Sequence, residues 1–156
     1  YTSSGCDDVE FYVSFNLGEN LNPLNKVASG GEMSRFMLAF KKILSDVDKI
    51  ETMIFDEIDT GISGRAAQVV GEKLAEMSKY KQLICITHLP QIAAFADDHY
   101  YIEKNVENER TFTSISNLDY EDREKEIARL ISGKIITEKT LEHSHEMIEL
   151  AKKTKA

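Results

Sequence analysis

Two short apolar runs, Thr52–Phe55 and Leu83–Ile86, each break off into polar residues, and the stretch between them carries apolar side chains at helical spacing. Strand, helix and strand in that order predict a parallel βαβ unit, because adjacent parallel strands need a long crossover whose apolar stripe packs back on the sheet. We read both strands as buried. The crossover helix covers Arg65–Lys79, with Ala66, Val69, Val70, Leu74 and Met77 facing inward, and Gly61 and Gly64 mark the turn before it. The carboxyl ends of the two strands then lie side by side, so Asp56-Glu57 and His88 are expected at a common crevice.

Upstream, Ser29 and Glu32 have the spacing of a capping box just before Met33, Phe36, Met37, Phe40, Ile43 and Leu44. A helix is therefore expected to start at Gly30-Gly31. Val9, Phe11, Val13 and Phe15 alternate with polar residues and read as a half-buried strand, followed by a loop through Asn20–Lys26. After Pro90 the pattern gives a short helix to Ala96, then an edge hairpin of Tyr100–Lys104 and Thr111–Ile115 around a polar turn at Asn105–Glu109. Two amphipathic helices follow, Tyr120–Ser132 ended by Gly133, and Glu138–Lys152 with Leu141, Ile148 and Leu150 apolar, before a frayed tail. The fold class is α/β: a parallel βαβ core, an edge hairpin and C-terminal helices, in one domain over residues 1–156.

Charge and composition narrow the function. The formal net charge of −8 argues against a large phosphate-backbone footprint on this piece, since such footprints are built from clustered Lys and Arg. DNA contact by these residues is expected to be weak or absent. Cys6 and Cys85 are far apart and form no C-x-x-C pair, which favours a reducing compartment over a disulfide framework. No apolar run approaches the about 18 residues of a membrane span, and the given N-terminal residues show no basic-then-apolar pattern, so neither a membrane span nor secretion is expected.

Each candidate site residue has a plain reading beside the functional one. Ser29-Gly30-Gly31-Glu32 reads either as an ordinary capped helix start or as an anion site, where glycines let a phosphate reach the N–H groups at the positive end of a helix. Asp56 and Glu57 are two solvated acids, or one carboxylate for Mg²⁺ and one for the attacking water. His88 is a surface histidine or a donor to a γ-phosphate. The stretch Asp59–Gly64 is a plain loop or a contact to a partner subunit. His143 and His145, two apart, do not share a helix face for a metal and read as solvated, as does the acidic run Asp119–Glu126.

These residues carry a family resemblance. Ala28–Glu32 is similar to the ABC signature motif, Thr52–Glu57 resembles Walker B, and His88 matches the switch histidine. The longer strings Lys26–Arg35, Phe55–Gly64 and Thr87–Asp97 resemble the RecN family of SMC-like ABC ATPases, and the similarity covers most of residues 5 to 133. No Walker A segment is present: Gly133-Lys134 is followed by Ile135, and Ala128 stands where its first glycine should be. With Tyr1 in place of an initiator methionine, the chain is expected to be a piece of a longer protein.

The resemblance implies the C-terminal lobe of an ABC-type P-loop NTPase head. Its N-terminal Walker A lobe would be its partner, and two heads would sandwich ATP and Mg²⁺ in a homodimer. Ser29, Gly30, Gly31 and Glu32 would bind nucleotide, Asp56 the metal, and Glu57 and His88 would act in hydrolysis. The implied setting is cytoplasmic and nucleoid-associated in bacteria, in recombinational repair of DNA double-strand breaks, with DNA engaged by the whole protein. Where SMC proteins place a D-loop aspartate, this chain has Ser63. Two alternatives stand beside this: a transporter-type or other SMC-like ATPase lobe, with Glu32 where transporter signatures usually carry glutamine, and a non-catalytic dimerisation or scaffold module.

Overall fold

The computed structural model describes residues 3, 5–15, 17–27, 29–44, 47, 49–107 and 110–155, with the side chains of 27 and 107 outside that description. Ala28, the hairpin tip at 108–109 and the end of the tail therefore lie outside the described residues.

The chain opens with a two-residue pairing, β1 (Tyr12–Val13) with β2 (Asn22–Pro23), and a single helical turn, α1 (Leu24–Val27). The strand expected over Val9–Phe15 is thus much shorter, and the expected loop contains β2 and α1. The apolar alternation there serves a different contact. Phe11 packs edge-on against Phe36 and Phe40, with ring centroids 6.3 and 5.9 Å away, and so ties the N-terminal segment to the next helix.

That helix, α2 (Gly30–Ile43), begins where the capping box places it. β3 (Thr52–Phe55) and β4 (Gln82–Cys85) pair in parallel, Thr52 opposite Gln82 through Phe55 opposite Cys85, and α3 (Gly64–Ser78) is the crossover between them. The parallel βαβ unit is present. Only one face of its sheet is covered, however: Met53 and Phe55 are buried whereas Ile54, Ile84 and Ile86 are exposed. The fully buried strands expected from the sequence are half-buried here, because α2 and α3 cover one side.

α3 buries Ala67, Val70, Gly71, Leu74, Ala75 and Met77, while Ala66 and Val69 point outward. The buried stripe is rotated from the expected one because α3 has two neighbours. Leu38, Met53, Phe55, Ile58 and Ile92 complete one cluster with it. The short helix α4 (Pro90–Ala93) packs on its other side, where a Cβ on Gly71 would lie 2.6 Å from the Phe95 ring, so only glycine admits this approach.

β5 (Tyr100–Glu107) and β6 (Arg110–Asn117) form the antiparallel hairpin, with Ile102 opposite Ile115. α5 (Tyr120–Ser132) and α6 (Glu138–Lys155) close the chain. Asp119 caps α5, accepting the Asp122 N–H at 2.9 Å, and Gly133 ends it at φ 76. Ile127 and Ile148 meet Ala93, Ala94 and Phe95 in a second cluster. Each isoleucine is fully buried, so truncation to alanine would cost about 2–5 kcal/mol.

The helical tail is more engaged than expected: Lys155 pairs with Asp97 at 2.6 Å, and Lys152 lies 4.4 Å over the Tyr120 ring. His145, expected to be merely solvated, donates from Nδ1 at 2.6 Å to the carboxylate of Glu124, a member of the acidic run, and so links α6 to α5. Among the described residues no helix is long and apolar enough to cross a membrane.

Candidate active site

The site begins at the start of α2. Ser29 is extended (φ −72, ψ 166), and its hydroxyl accepts the Glu32 N–H at 3.3 Å while the Glu32 carboxylate accepts the Ser29 N–H at 2.8 Å. The Ser29 amide holds the Glu32 carboxyl below its ordinary range, with the serine hydroxyl assisting. Glu32 therefore turns back to cap its own helix.

The two glycines answer to a contact that periodicity does not reveal. A Cβ on Gly31 would lie 2.7 Å from the Thr60 carbonyl oxygen and 3.0 Å from that of Glu57, and a Cβ on Gly30 would collide with the Glu57 carboxylate. The helix start thus lies directly against the segment after β3. One turn further, the Ser34 hydroxyl donates to the Asp56 carbonyl at 2.8 Å, and Arg35 donates to the carbonyls of Ile58 and Thr60 at 3.1 and 2.8 Å. Sequence reading passed over Ser34 and Arg35. Their signal was position, since Arg35 falls one helical turn after Gly31 and so on the same face.

β3 ends at Phe55, and its rigid end delivers Asp56 and Glu57. Asp56 accepts the Glu57 N–H on Oδ1 at 2.9 Å, leaving its second oxygen for a ligand. Glu57 has φ 57, in the left-handed region that non-glycine residues rarely enter. The turn is held by the Thr60 N–H on the Glu57 carbonyl at 3.0 Å, by the Arg35 clamp and by Ile58, fully buried beneath it. The backbone strain aims the Glu57 side chain away from the core toward α2.

Asp56, Glu57 and His88 line one open cleft of ≈ 270 Å³ with Asp59, Thr60, Ile86 and Thr87. The structure thus brings both acids and the histidine together at adjacent strand ends, and Ser29, Gly30 and Gly31 sit beside them, Gly30 against Glu57. Ser63 stands at the start of α3, outside that lining. Asp59 falls in the stretch that the sequence reads as a plain loop or a contact to a partner subunit, yet its side chain is 5% exposed, whereas that of His88, which it contacts at 3.0 Å, is 74% exposed.

No protein-family model matches the chain. DNA repair protein RecN of Halalkalibacterium halodurans is 50% identical over 151 residues, covering 97% of this chain and 27% of its own length. RecN of Bacillus subtilis is 47% identical over 154 residues, 99% of this chain and 27% of its own length. RecN of Treponema pallidum is 49% identical over 144 residues, 92% of this chain and 25% of its own length. Over nearly its whole length the chain is similar to part of the RecN proteins. It spans about a quarter of the length of these curated relatives. A solved structure from work on ATP-driven dimerization and DNA-stimulated activation of SMC ATPases shares the fold, with a TM-score of 0.52 at 20% identity over 76% of this chain and 70% of that one.

Among the described residues no group of three or more His, Cys, Asp or Glu side chains gathers into a cation cage. A single free carboxylate oxygen on Asp56 is the donor set that fits Mg²⁺, which keeps most of its shell as water and substrate phosphate. Beside it, a capped helix N-terminus with two glycines offers N–H groups to a phosphate.

Proposed function

We propose that this chain is the C-terminal lobe of a RecN-type ATPase head, acting in recombinational repair of DNA double-strand breaks. One observation carries the reading: Asp56, Glu57 and His88, from the ends of two adjacent parallel strands, line a single cleft beside a glycine-opened helix start. Asp56 would hold Mg²⁺, which neutralises charge on the phosphates. Glu57 takes the proton of the attacking water as its oxygen bonds to the γ-phosphorus and ADP departs, and His88 donates to a γ-phosphate oxygen as charge builds there. Ser29 and the N–H groups of Gly30 and Gly31 receive the γ-phosphate of the nucleotide on the opposite head of a homodimer. DNA is engaged by the whole protein, in the bacterial cytoplasm.

The missing phosphate cradle comes from an N-terminal lobe carrying Walker A. The exposed face of β3–β4, with Ile54, Ile84 and Ile86, supports this, because parallel sheets are stable when both faces are covered. The lobe alone is then inactive. The test is ATP hydrolysis by this chain with and without a separately expressed Walker A lobe, in wild type, Ser29→Arg and Glu57→Gln. Activity only on mixing, lost in both variants, supports the reading. Lobes that associate yet hydrolyse nothing would favour the scaffold alternative.

A further inference from the structure

Among the described residues Asp59 is the sole buried carboxylate, and its bonds are concentrated on one atom. Its Oδ2 accepts the Thr87 hydroxyl at 2.6 Å and the His88 backbone N–H at 2.9 Å, and the His88 ring Nδ1 lies 3.0 Å away. Thr87 Oγ1 in turn accepts the Leu89 N–H at 3.1 Å. The turn after β4 is thereby fixed to the loop after β3. The other face of the imidazole is open, and Asp56 and Glu57 share its cleft.

An ionised carboxylate only accepts hydrogen bonds, so the ring nitrogen facing Asp59 must carry hydrogen. Nδ1 is thus the protonated atom, and Nε2 is the one left toward the cleft. A neutral ring of that tautomer presents a lone pair at Nε2, and donation to a phosphate then requires the imidazolium. We propose that Asp59 is a positioning residue for His88, holding its ring through Nδ1 so that Nε2 points into the cleft where the γ-phosphate is read to sit. This rests on the ATPase reading above.

A residue that merely pins the turn would have different consequences, and a double-mutant cycle in the full-length protein separates the two. Asparagine keeps an acceptor oxygen for Thr87 and the His88 amide while removing the charge. Asp59→Asn is expected to lower single-turnover hydrolysis on the order of 10–100-fold, as loss of an orienting partner does at other histidine sites. ATP affinity, read with a fluorescent nucleotide, stays at the wild-type value. In a His88→Ala background Asp59→Asn adds no further loss. If asparagine lowers the melting temperature, Asp59→Ser, smaller and uncharged, is read in the same cycle. Wild-type hydrolysis by Asp59→Asn, or a loss that adds in full to that of His88→Ala, overturns the inference and leaves the ATPase reading intact. Unchanged hydrolysis in His88→Ala itself would overturn the role of His88, and the inference with it.

Discussion

Gly31 approaches Thr60 so closely that a β-carbon would sit 2.7 Å from the Thr60 carbonyl oxygen. In an ordinary helix, glycine to alanine gains about 1 kcal/mol from propensity. Here the obstacle is backbone, which cannot swing aside, and overpacking of this kind costs about 1–3 kcal/mol. Gly31→Ala should therefore lower the urea midpoint of unfolding. Gly30→Ala meets only the flexible end of Glu57, so it should unfold near the wild-type midpoint while displacing that carboxylate and slowing hydrolysis in the full-length protein. Equal midpoints for Gly31→Ala and wild type would contradict the packing argument.

Glu57 is held at φ 57. Glycine adopts this conformation without a Cβ clash, so Glu57→Gly should stabilise the chain by about 1 kcal/mol while abolishing hydrolysis in the complete head. Glu57→Gln keeps the strain, and should leave stability unchanged while trapping bound ATP. Denaturant unfolding and ATP turnover on the two variants distinguish these effects. A glycine variant less stable than glutamine would show that the left-handed turn carries no strain.

Burial alone would raise the Asp59 carboxyl, but the Thr87 hydroxyl, the His88 amide and the His88 ring offset it and hold the group below its ordinary value of 3.8. A depressed carboxylate contributes stability that is complete above the unfolded value and lost as pH falls through the folded one. Acid should therefore weaken wild type below about pH 3.9, the unfolded aspartate value. Asp59→Asn should show a shallower decline over that range. The measurement is the thermal midpoint against pH, and parallel curves would remove Asp59 from the acid response.

Burial, followed by the negative charges of Asp59 and Asp56, pushes the Cys85 thiol up to about 12. The thiolate is the reactive species, so Cys85 should resist a maleimide near neutral pH in the native chain, while exposed Cys6 is modified. In denaturant both should react. Equal native rates at the two cysteines would show that packing against the core does not shield the Cys85 thiol.

Where the sequence held local signals, the outcome was legible in it. Ser29 with Glu32 marked the start of α2, and Gly133 marked the end of α5 after Ser132, because caps act within a few residues. The apolar run ending at Phe55 gave β3 and placed Asp56-Glu57 and His88 at adjacent strand ends, since a parallel pair has few ways to connect. Phe11 misled, because alternation describes which faces are apolar and not whether a strand or a helix such as α2 covers them.

The sequence by itself determined the elements from α2 onward, their order and the chemical types at the strand ends, all set by periodicity and capping over short stretches of chain. Tertiary structure alone decided that Gly31 must lack a side chain, that Glu57 is strained and that Asp59 is buried against His88. Those facts depend on α2, the loop after β3 and the turn after β4 meeting within a few ångströms across more than twenty residues of chain, as in the 2.8 Å bond from Arg35 to Thr60. No local pattern encodes such a meeting, because close packing is settled only when the elements come together.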